Sequence, residues 1–154
     1  MSRHDAPRGG SPVSGLSHIA MAVREADPLV AILVGALGAI RGEEELLDGG
    51  GLRVVFVRLG SVTLELLEPR SPDHTVARFL EKRGEGLHHV SFEVGNLEAA
   101  LAGCRAAGIQ LLDEAARPGA HGTRVAFLHP KRLGGVLVEL CQAGPAASDR
   151  DPRP

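Results

Sequence analysis

Hydrophobic and polar positions follow the same order in both halves of the chain. Each half predicts a strand, an apolar helix and three further strands. In the first half the strands fall at residues 16–23, 39–47, 52–59 and 62–67, with a helix at 29–37. In the second half the strands fall at 87–94, 109–113, 123–128 and 135–141, with a helix at 97–107. The pattern therefore predicts a duplicated β-α-β-β-β module.

Glycine, proline and charged residues mark the limits of these two modules. The modules span about residues 15–69 and 87–143, and the linker between them predicts one more helix at 75–82. Residues 1–13 and 145–154 are rich in Gly, Pro, Ser and charge, so we expect two disordered tails. One domain over residues 14–144 remains.

Composition and charge exclude several classes of function. The 154 residues carry a net charge of −2, which gives no basis for a nucleic-acid interface. No apolar run reaches the roughly 20 residues that span a bilayer, and the first residues lack the apolar segment of a signal peptide. We therefore expect a cytoplasmic protein without a membrane partner. The two cysteines, Cys104 and Cys141, form no motif and are expected to be reduced.

One histidine and one glutamate recur at matching places in the two modules. His18 and His89 lie on the first strand of each module, and Glu65 and Glu139 lie on the last. Side chains two apart on a strand share a face, so each glutamate projects to one face while its apolar neighbours occupy the other. A single histidine is usually structural, and a single strand glutamate usually faces solvent, but the matched occurrence favours a shared role.

A metal ion would give these residues that role. A carboxylate within an apolar strand is costly to bury without a partner, and a cation would remove the cost in both modules at once. Two neutral imidazoles and two carboxylates suit a divalent ion such as Co, Zn, Ni, Mn or Fe. The sequence therefore predicts a four-ligand site at His18, Glu65, His89 and Glu139.

Several segments resemble a known family in the same order. They are LELLEP at 64–69, FLEKRGEGLHHV at 79–90, PGAHG at 118–122, VAFLHPK at 125–131 and GGVLVEL at 134–140. On these segments the chain resembles the vicinal oxygen chelate (glyoxalase/bleomycin resistance/dioxygenase) superfamily, and within it the methylmalonyl-CoA epimerase family. The resemblance covers roughly residues 15–143.

The resemblance implies a fold, a reaction and a set of site residues. The fold is α+β, with two βαβββ modules forming a cup-shaped mixed sheet around a metal and helices on the outer face. The reaction interconverts the (R) and (S) epimers of methylmalonyl-CoA, or a near relative such as ethylmalonyl-CoA, by moving the α-proton. Co is the implied metal, with Zn, Ni or Mn as alternatives, and a homodimer is the implied assembly. The implied metal ligands are His18, Glu65, His89 and Glu139, with Glu139 also catalytic.

The remaining site residues are predicted less directly. His88 is the neighbour of the ligand, because His89 is the residue that aligns with His18 between the repeats. Lys131 is a candidate contact for CoA phosphate, as are Arg132 and Arg83. His121, in the PGAHG loop, is a candidate for substrate binding, or else shapes the loop.

The second acid/base group is left open by the sequence. Some family members carry a glutamate near the position of Val54, which is apolar here. Glu43, Glu44 and Glu45 are nearby alternatives, although an acidic run is usually a solvated face. His121 is a further alternative.

Three other functions remain compatible with the same modules. A glyoxalase I-type lyase uses a similar ligand set, although the PGAHG and VAFLHPK segments favour the epimerase. An extradiol dioxygenase uses two histidines and one glutamate, and the absence of Tyr counts against it. A metal-free binding module, such as a drug-sequestering resistance protein, would have no use for four matched polar residues. Fold alone does not decide among them.

Overall fold

The chain forms eight strands and three α-helices over residues 12–145, the part that the computed structural model describes. In chain order the elements are β1 (Val13–Ala22), α1 (Ala26–Leu37), β2 (Ile40–Leu47), β3 (Leu52–Leu59), β4 (Val62–Pro69), α2 (Thr75–Arg83), β5 (Gly86–Val94), α3 (Leu97–Ala106), β6 (Arg117–Pro118), β7 (Arg124–Leu128) and β8 (Val138–Gln142). The tails predicted to be disordered, 1–13 and 145–154, lie almost entirely outside the described residues. No helix within residues 12–145 is long and apolar enough to span a membrane.

All eight strands belong to one curled mixed sheet with the order β2-β3-β4-β1-β5-β8-β7-β6. The first strands of the two modules, β1 and β5, pair antiparallel at its centre. Each of them also pairs in parallel with the last strand of its own module, β1 with β4 and β5 with β8. The order is therefore the same from the centre outward in both directions, which confirms the duplicated module and the predicted vicinal oxygen chelate fold.

The period-2 alternation of the strands separates the two faces of this sheet. On the convex face, α1 packs against residues such as Val55, Val57 and Leu66, and α3 packs against Ala126 and Leu140. On the concave face lie Leu52, Val54 and Phe56 of β3, together with Glu65 and Glu139. Both glutamates therefore occupy the predicted face. The linker helix differs from the other two, since α2 packs through Val76 and Leu80 onto the concave side of the first module.

One predicted strand is wrong. Residues 109–113 make only an isolated bridge between Leu111 and Leu128, and the edge of the sheet is instead the two-residue strand β6. The Asp113 carboxylate accepts a hydrogen bond from the Phe127 N–H at 2.8 Å, which takes the place of a backbone ladder bond. By contrast, the acidic segment 39–47 forms a full strand, β2, with a register shift between Arg41 and Glu44.

Candidate metal centre and active site

A cavity of about 400 Å³ occupies the concave face of the sheet. The first and last strands of both modules form its floor, because β4, β1, β5 and β8 are adjacent in the sheet. Each of these four strands contributes one of the predicted ligands to the lining, in the order Glu65, His18, His89 and Glu139. The duplication of the module thus brings residues from distant parts of the sequence together on the same side of the cavity.

Three of the four predicted ligands converge in a buried cluster. The Nε2 atoms of His18 and His89 lie 3.3 Å apart. The Oε1 atom of Glu139 lies 3.4 Å from His18 Nε2, and its Oε2 atom lies 3.7 Å from His89 Nε2. One donor atom from each residue can be chosen so that all lie within 4.8 Å of one another.

This cluster fits a divalent metal ion. Two donors that bind one ion at about 2.1 Å lie roughly 3.0–3.5 Å from each other, close to the separations observed. Among residues 12–145, no lysine or arginine pairs with Glu139 or Glu65, and their carboxylates contact histidines instead. Buried carboxylates without a cationic side chain are costly, and a metal ion is the partner that the two imidazoles can share with them.

Glu65 stands beside the cluster rather than within it. Its Oε1 atom lies 3.3 Å from Nδ1 of His18, whereas the other two ligands approach Nε2 of the same ring. Ser17 Oγ also lies 3.1 Å from this Nδ1. Glu65 is therefore placed to bind the ion as a fourth ligand after a small side-chain movement, or to orient His18, and its role as a ligand stays a prediction.

Burial dominates the electrostatics of the cluster. Burial lowers the pKa of His18 to about 4 and that of His89 to about 2, the latter with help from His88 and His18. Burial also raises the pKa of Glu65 to about 8 and of Glu139 to about 7, against a model-compound value of 4.5. Both imidazoles are consequently neutral near pH 7, which leaves their ring nitrogens available as metal ligands.

Two neighbours orient these ligands, and the sequence did not reveal either contact. The hydroxyl of Ser91, which is fully buried on β5, donates a hydrogen bond to Oε1 of Glu139 at 2.7 Å. His88 places its Nδ1 atom 2.8 Å from Nδ1 of His89, on the side of the ring away from the cluster. Contacts of this kind fix the ring tautomer and orientation of a ligating histidine.

The acidic run of β2 divides between the two faces of the sheet. Glu45 pairs with Val54 across the β2–β3 ladder and so shares its concave face. Its Oε2 atom accepts a hydrogen bond from the His121 N–H at 2.9 Å, and Glu43 Oε2 lies 3.8 Å from Nε2 of the same histidine. A carboxylate thus lies beside the apolar Val54 after all, supplied by the neighbouring strand.

Glu44 faces the opposite way and is part of a structural ion network. Its Oε2 atom accepts hydrogen bonds from Arg53 at 2.7 Å and from Arg41 at 2.9 Å. Arg53 also binds Asp27 and the half-buried Glu68 on the convex side. The pKa values of Asp27 and Glu44 are lowered, first of all by their hydrogen bonds to Arg53. Glu44 is therefore excluded as an acid/base group in the cavity.

The two predicted substrate contacts lie in different settings. His121 lines the cavity, where its ring stacks on Phe56 with 4.1 Å between the ring centroids. It adopts a left-handed backbone conformation with φ of 55°, so it also shapes the loop. Lys131 is exposed on a short 3₁₀ turn after β7 and does not line the cavity. Both remain predictions as substrate-binding residues.

The family of the chain follows from sequence comparison. Residues 17–127 match the Glyoxalase/Bleomycin resistance protein/Dioxygenase superfamily, which covers more than two thirds of the chain. The chain belongs to this superfamily. This superfamily typically uses a divalent metal, and the cluster of His18, His89 and Glu139 is a group that could hold one.

Several proteins that are similar to this chain are named methylmalonyl-CoA epimerase. The chain is 44% identical over 139 residues to the mitochondrial methylmalonyl-CoA epimerase of Bos taurus, covering 88% of this chain and 79% of the relative. The structure of methylmalonyl-CoA epimerase from Mycobacterium tuberculosis aligns with a TM-score of 0.83 at 33% identity, covering 91% and 95% of the two chains. A methylmalonyl-CoA epimerase in complex with methylmalonyl-CoA and NH4+ aligns with a TM-score of 0.80 at 32% identity, covering 86% and 96%.

Proposed function

We propose that this member of the superfamily is a methylmalonyl-CoA epimerase, an isomerase that moves the α-proton of a CoA thioester between two faces. The observation that carries the proposal is the buried cluster of His18, His89 and Glu139 in the cavity. The likeness to epimerases over most of the chain selects this chemistry among the reactions that the fold can host.

The proposed ligands are the three residues of the cluster with Glu65 as the fourth. When bound, a divalent ion supplies Lewis-acid stabilisation of the negative charge that develops on the substrate. The borderline imidazole nitrogens and hard carboxylate oxygens suit Co, which we propose as the metal, and equally admit Zn, Ni or Mn. Metal analysis of the purified protein, followed by reconstitution with each ion, identifies it.

Glu139 is the proposed acid/base group on one face of the substrate. Ser91 holds its Oε1 atom at 2.7 Å, so the Oε2 atom is the one that we expect to exchange the proton. Burial raises the pKa of Glu139 to about 7, which is near the value that best suits proton transfer at neutral pH. This value is that of the metal-free protein, and a bound ion would lower it by stabilising the carboxylate form.

We place the second acid/base group in the pair Glu43 and Glu45 on β2. Both contact His121, which lines the cavity, and β2 and β8 belong to opposite halves of the sheet, so we expect the pair to approach the substrate from another direction than Glu139. The ring of His121 stands between Glu43 and Phe56, where it can bind the substrate or relay a proton. Glu44 provides the internal control, because it lies on the convex face.

Proton exchange in deuterated water tests this assignment. Metal-loaded protein is incubated with each separate epimer of methylmalonyl-CoA, and deuterium incorporation and epimer ratio are followed by mass spectrometry and NMR. We expect Glu139→Gln to abolish exchange from one epimer, and Glu43→Gln or Glu45→Gln to impair exchange from the other. Glu44→Gln should exchange at the wild-type rate. An equal loss of exchange rate in the Glu43, Glu44 and Glu45 variants would contradict the division of the acidic run between the two faces of the sheet.

The same experiment separates the competing functions. Absence of exchange in a protein that still binds metal would favour the glyoxalase I-type lyase, which is then tested with glutathione hemithioacetals. Absence of both metal and exchange would favour a metal-free binding module. Ethylmalonyl-CoA as a second substrate measures how strictly the cavity selects the methyl group.

Assembly and CoA recognition are further parts of the proposal. We propose a homodimer, supported by the exposed apolar side chains Leu37 and Ile40 next to the open edge of β2. Light scattering after size-exclusion chromatography measures the molar mass of the assembly in solution. We also propose that Lys131 contacts a CoA phosphate, in which case Lys131→Ala raises KM for methylmalonyl-CoA and leaves KM for its pantetheine thioester unchanged.

A further inference from the structure

Arg117 occupies a distinctive position at the mouth of the cavity. It lines both the main cavity and an adjoining side groove of about 200 Å³. Thr75, His88 and Phe127 also line both of them. Among residues 12–145, it is the only lysine or arginine in the lining of the main cavity. No motif or periodicity in the sequence marks this position, because Arg117 follows an irregular segment.

The guanidinium of Arg117 is held in place by two contacts. Its Nε atom lies 3.3 Å from Oδ2 of Asp113, and that same oxygen accepts the Phe127 N–H at 2.8 Å. The guanidinium carbon lies 5.1 Å from the centroid of the Phe127 ring. Because Asp113 engages Nε, the two terminal nitrogens, which make no other hydrogen bond or ion pair within residues 12–145, are free to bind an anion.

Phe127 connects this guanidinium to the ligand cluster. The edge of its ring meets the ring of His89 with 4.9 Å between the centroids. The charge of Arg117 adds to the lowering of the pKa of His89 and partly opposes the rise in the pKa of Glu139 that burial causes, so its field reaches the cluster. A guanidinium in this position attracts the negative charge of a ligand that is bound next to His89.

The charge balance of the site favours such a cation. The carboxylates of Glu65 and Glu139 balance the charge of one divalent ion. A malonyl-type acyl group then adds the negative charge of its free carboxylate, and transfer of the α-proton to a glutamate of the site leaves that total charge unchanged. Asp48 also lines the cavity and adds further negative charge. Without Arg117, the described residues that line the cavity would include no lysine or arginine to offset the charge of this carboxylate.

We propose that Arg117 binds the free carboxylate of the acyl group and thereby selects carboxylated acyl thioesters over simple ones. The planar fork of a guanidinium suits a carboxylate, which it binds through two parallel hydrogen bonds. The inference rests on the proposed epimerase function and names the residue that sets its acyl specificity. A CoA phosphate is the other anionic group of such a substrate, and the two sources can be distinguished.

Binding of three non-epimerisable thioesters tests the proposal. Malonyl-CoA carries the carboxylate and the phosphates, acetyl-CoA carries only the phosphates of CoA, and malonyl-pantetheine carries only the carboxylate. Dissociation constants are measured by calorimetry on metal-loaded wild type, Arg117→Gln and Arg117→Lys. We expect Arg117→Gln to weaken malonyl-CoA and malonyl-pantetheine by about 10- to 100-fold and acetyl-CoA by less than about 3-fold. Arg117→Lys, which keeps the charge, should recover part of the loss.

Arg105→Gln is the matched control. Its side chain on α3 is 47% exposed, against 51% for Arg117, and it also pairs with a single carboxylate, that of Glu114. This variant makes the same change in net charge outside the cavity, so all three dissociation constants should equal those of the wild type. Metal content and melting temperature of each variant confirm that the fold is intact.

Each other outcome has a definite meaning. Equal weakening of malonyl-CoA and acetyl-CoA, with malonyl-pantetheine unaffected, would assign Arg117 to a CoA phosphate and overturn the carboxylate assignment. No change for any ligand would refute a role in binding. If the wild type exchanges the α-proton of methylmalonyl-CoA while Arg117→Gln binds normally, only this inference fails. If the wild type neither exchanges nor prefers malonyl-CoA to acetyl-CoA, the proposed function fails.

Discussion

Replacement of Glu65 by glutamine should stabilise the metal-free protein at alkaline pH, although it removes a proposed ligand. Burial raises the pKa of Glu65 to about 8, with further increases from the charges of Glu139 and Glu45. The protonated carboxyl is therefore favoured by folding. Its contribution to stability is complete below the unfolded pKa of 4.5 and is lost as pH rises through about 8. His18 also faces Glu65, but burial lowers its pKa to about 4, so it is neutral over most of this window.

The size of the effect follows from the two pKa values. Between 4.5 and about 8, each pH unit costs about 1.36 kcal/mol of unfolding free energy, or about 5 kcal/mol in total. Between pH 5 and pH 8 the wild type loses about 3 kcal/mol through this one group. Glutamine does not titrate, and the cost of burying its amide is the same at both pH values. The difference between the variant and the wild type should therefore change by about 3 kcal/mol in favour of the variant.

Urea unfolding of chelator-treated protein at pH 5 and pH 8 measures this change. Glu68→Gln is the control, because Glu68 lies on the same strand but pairs with Arg53 at 3.1 Å on the convex side. The unfolding free energy of Glu68→Gln should not increase relative to that of the wild type between pH 5 and pH 8. Addition of the divalent ion should reverse the order of wild type and Glu65→Gln, since the ion stabilises the carboxylate form by mass action. A Glu65→Gln variant whose relative stability is the same at pH 5 and pH 8 would refute the reasoning.

Three further variants test the surroundings of the cluster. His88→Ala should keep metal stoichiometry near normal but weaken metal affinity by about 10-fold, whereas His89→Ala should lose the metal, as measured by competition with a chelator. Ser91→Ala should retain the metal but lower kcat by about 10-fold, because Oε1 of Glu139 loses its donor. Arg53→Met should lower the unfolding free energy by about 2 kcal/mol in urea without changing metal content.

Repetition made the centre of the molecule predictable. Strands β1, β4, β5 and β8 carry matching motifs, and the alternation along β4 and β8 determines the face of Glu65 and Glu139. Their convergence follows from the duplicated module, because equivalent strands lie side by side at the centre of the sheet. The sequence therefore predicted the fold and the convergence of His18, His89 and Glu139, but not the 3.3 Å contact of Glu65 with Nδ1 of His18 instead of its Nε2.

The periphery of the site was less predictable, because it depends on contacts between the two ends of the sheet. Glu43, Glu44 and Glu45 are identical in type and adjacent in sequence, so composition alone suggested a solvated face for all three. The β2–β3 register assigns them different surroundings, since Glu44 joins Arg53 while Glu43 and Glu45 meet His121. His121 belongs to the loop beside the opposite edge strand, and only the curl of the sheet brings it onto Phe56. Strand pairing and curvature thus select which carboxylates of an acidic run contact His121, and a single sequence contains no local signal for either.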